Sequence, residues 1–168
     1  MPANRTVDLR ALAERVAEAL PPVVEEIVLT GSVSRGVADE LSDIEMLLVT
    51  PEPLAPDVCF AHARSAGLAS LDTWGAQGTP TCRVSGHRDG VPIELIWWPR
   101  DFAEASVDRL LAGDASAAAD ALGNGVALRT RAVWRAGRPG LAITRSSWWR
   151  GEQRRRPSRG AATRPPAS

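Results

Sequence analysis

Lysine is absent from this chain of 168 residues, and all twenty of its basic residues are arginine. Because alanine, glycine and proline are abundant, we attribute this to a GC-rich coding sequence rather than to a functional arginine patch. There are only two cysteines, Cys59 and Cys82, and their separation does not match metal-ligand spacing, so both are expected to be reduced and structural. No apolar run approaches the roughly 18 residues that cross a bilayer, and the N-terminus has no apolar signal core. These absences argue against a membrane-spanning protein and predict a cytoplasmic one.

The charge of the chain is zero overall but unevenly distributed. Residues 145–168 hold seven of the arginines and a single acid, Glu152, which leaves residues 1–144 with more acidic than basic residues. An acidic body argues against a nucleic-acid-binding surface there, because phosphate contacts need clustered cations. The run Arg154–Arg156 would suit nucleic acid, but a solvated tail is the favoured interpretation.

The apolar pattern predicts an α/β domain with a small mixed sheet and flanking helices. The length fits one compact domain. Helical spacing, Pro and Gly stop signals and an apparent capping box at Asp101–Glu104 indicate helices, and β-branched runs and an Asp-Gly hairpin turn indicate strands. The predicted helices cover residues 7–20, 56–66, 101–111 and 115–122, the predicted strands cover 23–30, 43–50, 81–87 and 91–98, and residues 68–80 are predicted to be a loop.

The segment that suggests chemistry begins where the first strand ends, at Thr30. Gly31 lets the backbone approach a ligand closely, and Ser32 adds a hydroxyl and a backbone N–H, which together suit phosphate oxygens. Farther on, Asp43 and Glu45 alternate with apolar residues and are predicted to share one face of a strand. Two adjacent carboxylates repel each other, and a bound divalent cation such as Mg²⁺ relieves that repulsion.

A third carboxylate, Glu94, lies in an otherwise apolar predicted strand. Burying a carboxylate is costly unless it is paired or bound to a metal. Taken singly, each of these features has an ordinary structural explanation: a turn for Gly31-Ser32, a solvated face for Asp43 and Glu45, and an edge position for Glu94. Their occurrence together is the argument for a site.

The combination resembles the nucleotidyltransferase (polymerase-β-like) superfamily. Its signature is an apolar strand ending in Gly-Ser or Gly-Gly, then an Asp-apolar-Asp/Glu strand, then an acid on a later strand. Arg35-Gly36 and Ser42-Asp43 are also similar to the small bacterial members, including aminoglycoside nucleotidyltransferases. The resemblance covers residues 23–98 well and 99–130 loosely. Glu45 stands where many relatives have Asp.

The resemblance implies nucleotide transfer from ATP, or another nucleoside triphosphate, to an acceptor hydroxyl with release of pyrophosphate. It implies two Mg²⁺ ions held by Asp43, Glu45 and Glu94, with Glu94 as third ligand or general base. Gly31 and Ser32 would bind the triphosphate, with Arg35 as a further phosphate contact. The acceptor is left open: a small molecule such as an aminoglycoside, a protein or an RNA. A second hypothesis, of another class, is a non-catalytic, antitoxin-like interaction domain of the same fold.

The C-terminal part departs from this family pattern. We expect residues 1–130 to be the catalytic domain and residues 131–168 to be a truncated or irregular segment, disordered from about residue 145. Where relatives continue with helices, residues 141–150 show no helical pattern, and a frameshift or truncation is a hypothesis that reading the gene would test. Trp97-Trp98 could stack on a base or acceptor ring, but core or edge packing is the favoured interpretation, and His62 and His87 are expected to be structural.

Overall fold

The computed structural model describes residues 5–73, 80–113 and 125–129. Within these residues there are four helices and six strands. In chain order they are α1 (Arg5–Ala19), β1 (Glu26–Thr30), α2 (Gly31–Arg35), β2 (Ile44–Thr50), α3 (Pro56–Ser65), β3 (Ala69–Thr73), β4 (Cys82–Arg88), β5 (Val91–Pro99), α4 (Arg100–Ala112) and β6 (Val126–Arg129).

The strands form one mixed sheet in the order β3-β4-β5-β2-β1-β6. β2 and β5 run parallel at its centre, and every other neighbouring pair is antiparallel. The parallel pair is connected through α3, β3 and β4, as expected because parallel neighbours need a long crossover. The predicted α/β class, a mixed sheet with flanking helices, is confirmed.

Both faces of this sheet carry apolar side chains, but the two faces have different partners. On the first face, buried residues of β1, β2 and β5 pack with the apolar stripes of α1 and α3, including Leu12 and Ala63. On the second face, Leu47, Val49 and Trp98 pack with Ala103 of α4. The second face therefore has a core at the end of β2 and β5 near Trp98, and its polar residues lie toward the opposite end.

Local sequence signals predicted the long helices and the hairpin correctly. α1 ends just before Pro21-Pro22, and α3 has Pro56 in its first turn and is followed by Gly67. β4 and β5 are joined by a two-residue turn at Asp89-Gly90. Trp97 and Trp98 are buried, so the packing interpretation is confirmed for both.

The structure corrects three details of the sequence interpretation. The predicted loop 68–80 contains the strand β3, whose residues are mostly exposed and which pairs with β4 at the sheet edge. α4 begins at Arg100, so Asp101 lies inside the first turn rather than before it. β6 was not predicted. Both missed strands are short edge strands without a clear apolar alternation, so pairing with a neighbour rather than intrinsic preference makes them strands.

Several predictions fall outside the described residues: the helix at 115–122, Trp74, and the segment 131–168 with its proposed disorder and frameshift. In the part of the chain that the structure describes, no helix is both long enough and apolar enough to cross a membrane. Cys59 and Cys82 are free thiols, and burial, followed by a hydrogen bond with Cys82, raises the pKa of the Cys59 thiol.

An arginine on β6 caps the C-terminal end of α1. The Arg129 guanidinium donates hydrogen bonds to the backbone carbonyl oxygens of Ala17, Leu20, Pro21 and Val24, the last two at 3.0 and 3.1 Å. The last carbonyls of a helix have no partner within the helix, and a cation at this end also interacts favourably with the helix dipole. Arg129 therefore ties the sheet edge to the end of α1.

Replacing this arginine by methionine should destabilise the fold without touching the site described below. We expect Arg129→Met to lower the free energy of unfolding by about 2–3 kcal/mol, because several charge-assisted hydrogen bonds are lost together. The measurement is urea unfolding followed by circular dichroism. Arg10→Met is the matched control, because Arg10 forms an exposed ion pair with Glu14 and the loss of such a pair should cost less than about 0.5 kcal/mol. Equal losses in both variants would contradict the anchoring role.

Candidate active site

Five polar residues lie in register across the sheet, one on each of five neighbouring strands. The pairs Thr30–Glu45, Glu45–Glu94, Glu94–Ser85 and Ser85–Asp72 are direct neighbours in the strand ladders. Side chains of directly opposite residues point to the same face of a sheet. The five side chains therefore form one row, which we call the polar row, on the same face as Leu47 and Trp98.

The centre of the polar row is a pair of carboxylates, Glu45 and Glu94. Both are partly buried, and only 13% of the Glu94 side chain is exposed. Burial raises the pKa of Glu45, and the charge of Asp43 raises it further. Burial also raises the pKa of Glu94, and the charges of Glu45 and Asp43 add to that increase. The structure thus brings the three predicted acids into one electrostatically coupled group.

Two arginines oppose these effects. Arg83 of β4 forms an ion pair with Glu94, with its Nη1 atom 3.4 Å from Oε1, and its positive charge lowers the pKa of both glutamates. Arg35, at the end of α2, is exposed, and its charge lowers the pKa of Glu45 only. Sequence analysis did not identify Arg83, although Arg83 alternates with the buried residues Val84 and Gly86 of β4, and that alternation could have placed it on the polar face.

The predicted glycine turn lies directly against the carboxylates. Thr30 ends β1 opposite Glu45, and its hydroxyl donates a hydrogen bond to the Glu45 carbonyl oxygen at 3.4 Å. Gly31 follows with a φ of +69°, and a Cβ atom built on it would overlap Oε2 of Glu45 and lie 3.2 Å from Cδ. A side chain at position 31 would therefore collide with the Glu45 carboxylate. The turn is also held by the Ser34 hydroxyl, which donates to the Gly31 carbonyl oxygen at 2.9 Å.

Whether these residues fit a divalent cation depends on donor chemistry and on arrangement. Two half-buried carboxylates of raised pKa, with a third acid coupled to them, are the hard oxygen donors that Mg²⁺ prefers. In residues 5–73, 80–113 and 125–129, however, no three His, Cys, Asp or Glu side chains stand ready as a ligand group for a metal. Asp43 is exposed and precedes β2, and Glu94 is paired with Arg83. The donors fit the cation, but their side chains would have to rotate to share it.

The two histidines lie outside this group. The ring of His62 on α3 lies tilted against the buried Trp97, with ring centroids 5.7 Å apart. His87 is exposed on β4. Trp98 packs edge-on against Phe102 at 5.0 Å between centroids, so neither tryptophan presents a free ring for stacking on a base.

The fold is an α/β domain whose mixed sheet sets electrostatically coupled acids beside a glycine turn. Residues 9–68, about a third of the chain, match the family model described as nucleotidyltransferase domain. This span contains Gly31, Ser32, Asp43 and Glu45, so the resemblance found in the sequence is confirmed there. No curated protein matches the chain.

Solved structures give weaker overlaps. Terminal uridylyl transferase 4 from Trypanosoma brucei with bound UTP and UpU is 17% identical, with a TM-score of 0.35 over 60% of this chain and 36% of that one. The same enzyme with bound GTP gives 17% identity and a TM-score of 0.34, over 61% and 37% of the two chains. This chain spans little more than a third of the length of those structures.

Proposed function

We propose that this protein transfers a nucleoside monophosphate, AMP from ATP in the first instance, to an acceptor hydroxyl and releases pyrophosphate. The observation that carries the proposal is the direct pairing of Glu45 with Glu94 on parallel strands, with Gly31 in contact distance of the Glu45 carboxylate. Burial raises the pKa of both glutamates, and the charge of Glu45 raises that of Glu94 further, so the pair is poorly placed for stability alone. They are well placed to bind cations that accompany a triphosphate.

In this proposal the carboxylates would hold two Mg²⁺ ions, which would supply charge neutralisation for the phosphates and for the attacking and leaving oxygens. Asp43 and Glu45 are the main ligands. Glu94 is either the third ligand or the base that accepts the proton of the acceptor hydroxyl, and its raised pKa favours proton uptake. Gly31 and Ser32 orient the triphosphate beside Glu45, and Arg35 provides a positive charge near the phosphates.

The bond changes follow from this arrangement. The acceptor oxygen bonds to the α-phosphorus, the bond from that phosphorus to the bridging oxygen breaks, and pyrophosphate leaves with that oxygen. The chain's residues position the reactants and stabilise charge, as is general for phosphoryl transfer.

The test uses the purified protein with each of the four labelled nucleoside triphosphates, Mg²⁺ and an acceptor panel of aminoglycosides, proteins and RNAs. We expect label on an acceptor together with pyrophosphate release, and Mg²⁺-dependent binding of ATP that is lost in Asp43→Ala. Asp43 is exposed, so this substitution leaves the fold intact. Equal ATP binding by both proteins would contradict the catalytic proposal.

One observation favours the second candidate, a non-catalytic interaction domain of the same fold. Within the described residues no ligand group for a metal is assembled, since Glu94 is paired with Arg83. An interaction domain would show no Mg²⁺-dependent binding of any triphosphate, and the same assay therefore separates the two candidates.

A further inference from the structure

The ion pair of Arg83 with Glu94 occupies the place where the proposed function requires a cation. Arg83 lies opposite Ile96 on β5, diagonal to Glu94 on the same face of the sheet. This diagonal is within reach of a long side chain. The Arg83 side chain is 35% exposed and contacts Glu94 directly, whereas Arg35 is exposed and forms no ion pair with these acids in the described residues.

Arg83 interacts with both acids of the central pair. It contacts Glu94 directly, and its charge lowers the pKa of Glu45 as well. The charges of the three acids are opposed by Arg83, which contacts Glu94, and by Arg35, whose charge acts on Glu45. Without Arg83, the mutual repulsion of the acids would be opposed mainly by an exposed, screened charge.

We propose that Arg83 is the resident counter-ion of the Glu45–Glu94 pair and competes with the divalent cation for Glu94. Cation binding displaces the guanidinium from the Glu94 carboxylate, so Arg83 holds the affinity for free cation low and keeps the acids compatible with the fold when no cation is bound. Arg83 is in this sense a positioning residue for the proposed site. The inference rests on the metal site of the proposed function.

A direct test measures the binding of Mn²⁺ alone, in place of Mg²⁺, by calorimetry and by electron paramagnetic resonance of the free ion. We expect Arg83→Met to bind Mn²⁺ about tenfold more tightly than the unchanged protein, because the competing charge is gone. Arg83→Gln, a second neutral variant, should behave in the same way, so the test does not depend on one substitution folding well. Arg83→Lys keeps a charge but loses the planar guanidinium, so its Mn²⁺ affinity should lie between that of the unchanged protein and that of the neutral variants.

Arg88→Met is the matched control, because Arg88 lies on the same strand but donates its hydrogen bond to the Ala66 carbonyl oxygen, away from the acids. Its Mn²⁺ affinity should equal that of the unchanged protein. Thermal unfolding provides a second readout. Without metal, Arg83→Met should unfold at a lower temperature than the unchanged protein. Saturating Mn²⁺ should raise the unfolding temperature of Arg83→Met more than that of the unchanged protein.

The possible outcomes separate the inference from the function on which it rests. If both neutral Arg83 variants unfold earlier but bind Mn²⁺ no more tightly than the unchanged protein, Arg83 is merely structural and the inference is overturned, even if nucleotidyl transfer is observed. If they bind Mn²⁺ about tenfold more tightly and no triphosphate is ever used, the counter-ion role stands and the proposed reaction does not.

Discussion

Glu45→Gln is expected to lower kcat/KM for nucleotidyl transfer by about a thousandfold. The amide keeps the shape of the side chain but removes the negative charge that would hold the cation, and loss of a charge-stabilising group in the reaction centre commonly has effects of this size. Glu94→Gln should have a similarly large effect, since the amide can serve neither as an anionic ligand nor as a base. Steady-state kinetics with labelled triphosphate gives both values.

The matched control for these substitutions is Glu52→Gln. Glu52 is an exposed glutamate just beyond the other end of β2, so it reports the effect of the same chemical change outside the polar row. Its kcat/KM should stay within about twofold of the unchanged protein. Retention of full activity by Glu45→Gln would show that the paired acids do not bind the reactive cation.

Glu45→Gln, which is expected to lower activity, should raise the stability of the folded protein. The pKa of Glu45 is raised in the folded state, so between the unfolded and folded pKa the folded protein binds more protons than the unfolded one. The free energy of unfolding therefore falls as pH rises above about 4.5, the ordinary glutamate value, and the loss is complete above the folded pKa. In metal-free buffer at pH 7, Glu45→Gln is expected to be more stable than the unchanged protein, with a flatter pH dependence. A gain in stability together with a loss of activity is the result expected when a carboxylate is retained for function although it destabilises the fold.

Gly31→Ala is the second substitution with a large expected effect, a loss of transfer activity of a hundredfold or more. The added Cβ would overlap Oε2 of Glu45, and the carboxylate, as the end of a flexible side chain, can relieve the overlap by rotating away. The fold then survives, while the proposed metal ligand and the backbone that faces the triphosphate are both displaced. Kinetics and urea unfolding on the same sample separate these two effects.

Gly36→Ala provides the control for backbone strain. Gly36 has a φ of +78°, close to that of Gly31, but a Cβ atom there meets no other atom within 4 Å. Both alanine variants should therefore lose about 1–2 kcal/mol of unfolding free energy from the left-handed conformation. Only Gly31→Ala should lose activity. Equal activity in the two variants would mean that contact between residue 31 and Glu45 has no functional role.

The parts of the fold that the sequence predicted are those with strong local signals. α1 and α3 have an apolar stripe and proline stops, and the hairpin of β4 and β5 is specified by Asp89-Gly90 between apolar runs. β3 and β6 gave no such signal. They are edge strands, and hydrogen bonds to β4 and β1 impose their conformation.

The candidate site divides in the same way. Gly31, Ser32, Asp43 and Glu45 lie close together along the chain, so the turn and the alternation of one strand were enough to group them. Glu94 could be singled out as a carboxylate among apolar residues, but the residues around it in the sequence did not show that it pairs with Glu45. The alternation of β4 could place Arg83 on the polar face, but nothing in the sequence paired it with Glu94.

Sequence alone therefore determined the local conformations and the chemical types of the candidate site residues, because turns, stripes and alternation act between residues a few positions apart. Only the tertiary structure decided that β5 lies beside β2, which sets Glu94 next to Glu45, and that β4 brings Arg83 onto Glu94. Strand order depends on how helices on both faces bury the whole sheet at once, and no short segment contains that information.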